Sequence, residues 1–273
     1  MRMPFIALSI ACLSLAGAAV SMPPPQSEPL LAAAVEVPTR SPANVARDSY
    51  RHPAETLAFF GVKPTDSVVE IWPGGGWYTE ILAPYLSAGG KLTVVSPPGR
   101  PSAGINAKLD KDAPTYGKVA RANFPSALGG TGVAPGTADK VLTFRNVHNW
   151  RMGYLRSDKM DYSAAAFREI YTMLKPGGVL GIEDHRLPEN ADNERERTSG
   201  YIKVSTIRKL AEDAGFQFAG SSEVNANPRD THDWPEGVWT LPPSLQLGDK
   251  DREKYVAIGE SDRMTLKFVK PAK

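Results

Sequence analysis

The sequence predicts an α/β protein, a mostly parallel sheet with helices on both faces. Short apolar runs rich in Val and Ile alternate with segments whose apolar residues recur at i, i+3, i+4 and i+7. A run of glycines separates the first such strand from the helix that follows it. Gly and Pro punctuate the later joints, as in Lys175-Pro176-Gly177-Gly178. Alternation of this kind implies right-handed crossovers, which build parallel sheets.

The N-terminus reads as an export signal over residues 1–18. Arg2 precedes the apolar run FIALSIACLSLAGAAV, and Ala16-Gly17-Ala18 fits cleavage after Ala18. The run is shorter than the ~20 residues a membrane span needs, so no transmembrane segment is expected in the mature chain. A periplasmic or secreted protein follows. Lipid attachment at Cys12 is the alternative, although Ser9 stands where such signals usually carry Leu. Cys12 is the sole cysteine, so a chain cleaved after Ala18 has no disulfide or thiolate chemistry.

Residues 19–45 are rich in Pro, Ala and Ser without periodicity and read as a flexible linker, leaving 46–273 as one domain. In PAETLAFFGV, Pro53 suits a first helical position and Gly61 the position past the end. Strands are expected at Ser67–Ile71, 91–96, 140–144 and 179–184, with a loop-rich stretch between the second and third of these. Helices are expected over Tyr78–Leu86 and Ser163–Leu174, and around Ile207, Leu210, Ala211 and Ala214. FQFAGSSEV and RMTLKFVK complete the set as strands. With 41% hydrophobic residues the chain is able to bury a core, and 32 basic against 30 acidic residues give no reason to expect nucleic acid as a partner. Nothing in the sequence sets the oligomeric state.

In an open α/β sheet the ligand lies beyond the carboxyl ends of the strands, which directs attention to EIWPGGGWYTEILAPYL. Gly74, Gly75 and Gly76 let the main chain bend tightly and approach a ligand. Together with AFREIYTMLKPGGVLGIED and ADKVLTFRNVHNW, this passage resembles the class I S-adenosylmethionine-dependent methyltransferases, across about residues 45–273. The passage also looks like a branch of exported bacterial proteins described as predicted methyltransferases. The resemblance implies a Rossmann-like fold with a seven-stranded sheet and an antiparallel last strand. It also implies S-adenosylmethionine as cofactor and transfer of a methyl group to a small-molecule acceptor. Cofactor contacts would come from Glu70, Trp72, Gly74, Gly75, Gly76, Ser96 and Asn146. Two positions depart from the pattern: Trp72 stands at the first glycine, and Ser96 where an acid usually holds the ribose hydroxyls. Asn123 stands near the position of the adenine-contacting acid.

The four histidines, His52, His148, His185 and His232, all fall near the same sheet edge, with Asn149, Glu183, Asp184, Asp230 and Asp233 beside them. Methyl transfer needs a positioned acceptor and, where that acceptor carries a proton, a base. His148 and His185 are the candidates for base, Asp184 orients an imidazole, Asn149 helps hold the acceptor, and His232 is a third catalytic candidate. The structural alternative is that these groups tie loops together. Other readings remain open: a ligand-binding protein of this fold that has lost the cofactor, or a metal-dependent enzyme using His148, His185, His232 and an Asp. No metal motif spacing is present, so no metal is assigned. Trp72, Trp77, Trp150, Trp234 and Trp239 either wall the pocket or pack the loops.

Overall fold

The computed structural model describes residues 29–272. The expected export signal, its cleavage point and Cys12 lie outside the described residues. Among the described residues no helix is long and apolar enough to cross a membrane.

Four helices precede the sheet: α1 (Pro29–Val35), α2 (Pro42–Val45), α3 (Asp48–Arg51) and α4 (Pro53–Phe60). The stretch expected as a linker is therefore structured from residue 29. Leu31 and Ala34 on α1 are buried against α4 and α5, which periodicity over seven residues is too short to reveal. Burying one such Leu contributes about 1.5–3 kcal/mol, enough to hold a two-turn helix in place. The α4 boundaries are the expected ones, with Pro53 opening it and Gly61 at φ 69° closing it.

The chain then runs β1 (Ser67–Ile71), α5 (Thr79–Leu86), β2 (Lys91–Ser96), α6 (Ala103–Lys111), α7 (Ala113–Tyr116), β3 (Ala120–Asn123) and β4 (Ala138–Phe144). It continues through α8 (Val147–Arg151), α9 (Ser163–Met173), β5 (Leu174–Leu187), β6 (Ile202–Lys203) and α10 (Val204–Asp213), then β7 (Gln217–Ser222), α11 (Arg252–Ile258) and β8 (Arg263–Val269). The stretch expected to be loop-rich holds α6, α7 and β3. α8 and α11 also lie beyond the sequence reading, being at most seven residues long.

The strand order is β3-β2-β1-β4-β5-β8-β7, with the two-residue β6 paired to the end of β5. β1 to β5 run parallel, and the last strand, β8, is antiparallel to both β5 and β7. Side chains alternate across the sheet as strand geometry requires. In β1, Val69 and Ile71 join the core beneath α8, α9 and α10, while Val68 joins the opposite core beneath α1, α4, α5 and α6. Gly181 in β5 admits the Phe60 ring, which would stand 2.7 Å from a Cβ there. The carboxyl ends of β1 and β4, neighbours whose connections leave in opposite directions, form the switch point where such folds place ligands.

Candidate functional site

A cavity of about 230 Å³ opens at this switch point, between the loop after β1 and the residues that end β4. Its floor includes Gly74 and Gly75, where an added Cβ would meet nothing within 4 Å. Gly76 has a different reason to be glycine: a Cβ there would stand 2.9 Å from the side chains of Ile105 and Lys108. Two of the three glycines thus face the cavity and the third admits α6. Glu70 lines the same cavity and accepts a hydrogen bond from Thr79 Oγ1 at 2.6 Å. Burial pushes its carboxyl up to about 7, against the weaker opposing effect of that hydrogen bond.

Trp72 governs the other side of the loop. Its φ of 50° is a left-handed backbone that costs a non-glycine residue on the order of 1–3 kcal/mol. The surroundings hold it there. Its N–H donates to the Val95 carbonyl at 2.7 Å, and its indole Nε1 donates to the Phe124 carbonyl at 3.0 Å. The ring packs edge-on against Trp150 and Tyr154, with centroids 6.1 and 6.5 Å apart. Phe124 follows β3, two strands from β1, so the indole crosses the carboxyl end of β2. Ser96, at that end, is buried and lines neither this cavity nor the second one described below. Asn146 lines the first cavity and also ties the scaffold: its Nδ2 donates to the Ile71 carbonyl at 3.0 Å and to Thr143 Oγ1 at 3.1 Å, clamping the end of β1 to that of β4.

A second cavity of about 160 Å³ lies beside the first, and Arg145 lines both. His148, Asn149, His185 and Trp239 border it. His148 sits on α8, its Nδ1 2.6 Å from Asp184 Oδ1. A carboxylate only accepts, so Nδ1 carries the hydrogen of this bond. Asp184, fully buried at the end of β5, also accepts from the backbone N–H of His148 at 3.2 Å and of His185 at 2.8 Å. Three donors fix this carboxylate, and the carboxylate fixes the ring. His185 pairs its Nδ1 with Ser261 Oγ at 2.5 Å. Burial, then the neighbouring His148, Arg145, Arg263 and Arg51, push its pKa well below the usual value, so it is neutral.

Other candidates fall elsewhere. His232 packs edge-on against Tyr201, as His185 does, and hydrogen-bonds Asp262 at 3.3 Å, so it fastens the loop it belongs to and lines neither cavity. His52 occupies the left-handed joint between α3 and α4. Trp150 is core, and Trp234 donates to Asp230 at 2.7 Å, leaving Trp72 and Trp77 at the first cavity and Trp239 at the second. Ligand-type atoms of His148, Asp184 and His185 lie within 4.8 Å of one another. Asp184 is already engaged by three N–H groups, however, and the arginines that depress His185 equally oppose a divalent cation.

Sequence reading missed the basic half of the site: Arg47, Arg51 and Arg145 all line the first cavity. Arg145 was the accessible one, standing directly after β4 at the carboxyl edge. Arg47 and Arg51 come from the stretch before β1, where no motif announces them.

S-adenosylmethionine fits one end of this arrangement only. Glu70 and the open face of Gly74 and Gly75 suit its amino-acid end. The adenosyl part would lie over the ends of β2 and β3, where the Trp72 indole is anchored and no carboxylate waits for a ribose. The 230 Å³ available is also below the ~300–1,000 Å³ of ordinary small-molecule sites. The complete cofactor does not fit the site as it stands.

No protein-family model and no curated protein sequence matches the chain. Solved structures do. A SAM-dependent methyltransferase from Aquifex aeolicus aligns over 82% of this chain and 93% of its own, at 15% identity and a TM-score of 0.55. A putative sarcosine dimethylglycine methyltransferase from Galdieria sulphuraria aligns over 82% and 87%, at 12% identity and a TM-score of 0.55. The cyclase SpnF aligns over 80% and 79%, at 14% identity and a TM-score of 0.56. At such identities the likeness concerns the fold, and the fold is that of the class I SAM-dependent methyltransferases, with its sheet order and its antiparallel last strand.

Proposed function

We propose that this chain is a ligand-binding protein on a methyltransferase fold, whose own indole takes the place of the adenosyl group. Its ligand is a small polar molecule seated at the switch-point cavity and reaching past Arg145 toward His148. One observation carries this reading: Trp72 Nε1 is hydrogen-bonded to the Phe124 carbonyl, with the ring wedged against Trp150 across the end of β2. His148, oriented by Asp184, borders the second cavity, where the far end of a bound ligand would meet its ring. Export, expected from the N-terminal sequence, is part of this proposal and would set the binding apart from the cytoplasm in which that cofactor is made.

A second reading is favoured by Gly74 and Gly75, whose open faces border the cavity beside Glu70. It is the one the sequence resemblance implies, a SAM-dependent methyltransferase acting on a small acceptor, with Trp72 displaced when cofactor enters. That the cyclase SpnF shares the fold is a reminder that architecture alone does not choose between chemistries. Calorimetry of the chain with S-adenosylmethionine and its demethylated product separates the two. The proposal expects no uptake by the parent at millimolar ligand and a gain in the Trp72→Gly, Ser96→Asp double variant. Saturable uptake by the parent overturns it.

A further inference from the structure

The first cavity is ringed by more positive charge than the protein itself neutralises. Arg47 and Arg51 each hand their Nε to Glu260, at 2.6 and 3.1 Å, and Arg263 Nη1 reaches Glu260 at 2.9 Å and Glu183 at 3.1 Å. Arg145 donates no side-chain hydrogen bond among the described residues, although it lines both cavities. Four guanidinium groups thus face Glu260, Glu183 and the cavity-lining Glu70, whose carboxyl is pushed up to about 7, so two positive charges remain over where Glu70 holds its proton and one where it is ionised. Arg40 is not available to the count on either side, being paired with Asp48.

Individual atoms point the same way. Arg51 is 2% exposed, and its Nη2 is buried with no hydrogen-bond partner; Arg47 Nη2 is buried and equally unpartnered. An unmet donor on a buried cation is costly, and two of the unpartnered donors belong to residues that line this one cavity, where an added anion would offset the cost. Burial and then Arg145 bring the Arg51 pKa down to about 9, with Glu260 only partly opposing them. Arg145 is held at φ 63°, a left-handed backbone rare outside glycine, with its N–H on the Glu183 carbonyl at 2.7 Å. That local strain holds a third guanidinium between the cavities.

We infer that the switch-point cavity binds a compact dianionic oxyanion, a phosphoryl group, between Arg47, Arg51 and Arg145. The surplus of positive charge calls for an anion, a dianion where Glu70 holds its proton, and three guanidinium groups lining one cavity offer donors to more oxygens than the two of a carboxylate. The rest of an esterified ligand would extend past Arg145 to His148. This inference names the ligand class for the cavity of the proposed function and rests on that cavity being the binding site.

The test is calorimetry on the full chain with sodium phosphate, glycerol phosphate and sodium acetate at constant ionic strength. Phosphate or its ester is expected to bind at least about tenfold more tightly than acetate, and Arg145→Asn to weaken it by about tenfold or more. Asn tolerates the left-handed backbone, and the substitution removes no side-chain hydrogen bond. If that variant does not fold, Arg47→Gln is read by the same criterion. Tighter binding of the ester or of the free ion identifies the source, and either supports the inference. No heat with phosphate or ester at concentrations on the order of 10 mM, equal binding of acetate, or parental affinity in the variant overturns it. A chain that takes neither phosphate nor S-adenosylmethionine refutes the anion class alone; uptake of S-adenosylmethionine refutes the proposed function whatever phosphate does.

Discussion

Replacing Glu70 by Gln should make the stability of this protein less dependent on pH, and the size of the change follows from one buried carboxyl. Glu70 is 1% exposed, and its pKa rises from 4.5 to about 7 on folding. The folded state therefore holds a proton that the unfolded chain releases between those two values. Below 4.5 the group favours neither state; as pH climbs through 7 the native fold must carry an ionised carboxyl that burial disfavours. The shift corresponds to about 3 kcal/mol of destabilisation above pH 7. Gln keeps an oxygen for Thr79 and cannot ionise. Urea denaturation of parent and Glu70→Gln at a series of pH values from 4 to about 8.5 isolates the effect, since every other titrating group cancels in the difference. The variant should gain on the parent by about 3 kcal/mol across that range. A difference that stays constant with pH would refute the argument, because packing defects introduced by Gln have no reason to titrate.

Two further substitutions test the frame around the site. Glu260→Gln should show the opposite pH trend: burial raises this carboxyl, but Arg263, Arg51 and Arg145 outweigh burial and hold it at about 2. Its contribution, about 3 kcal/mol, is present above pH 4.5 and fades as pH falls toward 2, so parent and variant should converge in acid when followed by circular dichroism. Leu31→Ala should cost about 2–5 kcal/mol in denaturant unfolding if α1 is part of the domain, and next to nothing if residues before 46 merely tether it.

The scaffold was more legible in the sequence than the site, for physical reasons. Strands such as KLTVVS and KVLTF, and the amphipathic α9, declare themselves through composition and period, and α4 through the Pro and Gly that bound it. α8 has five residues, too few for a period, yet it presents His148 to Asp184. His148 and Asp184 were readable because one follows β4 and the other stands near the carboxyl end of β5, while His232 near the same edge is taken up by Asp262 and lines neither cavity. Of the arginines, Arg145 alone had a legible position, directly after β4. Arg47 and Arg51 are 213 and 209 residues from Glu260, and only the folded chain brings them together. Trp72 could be flagged as anomalous from its place in the loop, but where the ring would go depended on the Phe124 carbonyl, contributed by a strand hidden in a loop-rich passage.

The ion pairs of Arg47 and Arg51 with Glu260 tie the first helices of the described chain to the turn before its last strand. Pairs 213 and 209 residues apart close long loops, whose entropy must be met before the contact rewards it. The basin they border is therefore built by parts of the chain that only the complete sheet brings together. Removing residues from 260 onward would leave the basin's arginines in the chain but take away the carboxylate that Arg47 and Arg51 share, together with the strand that joins β5 to β7.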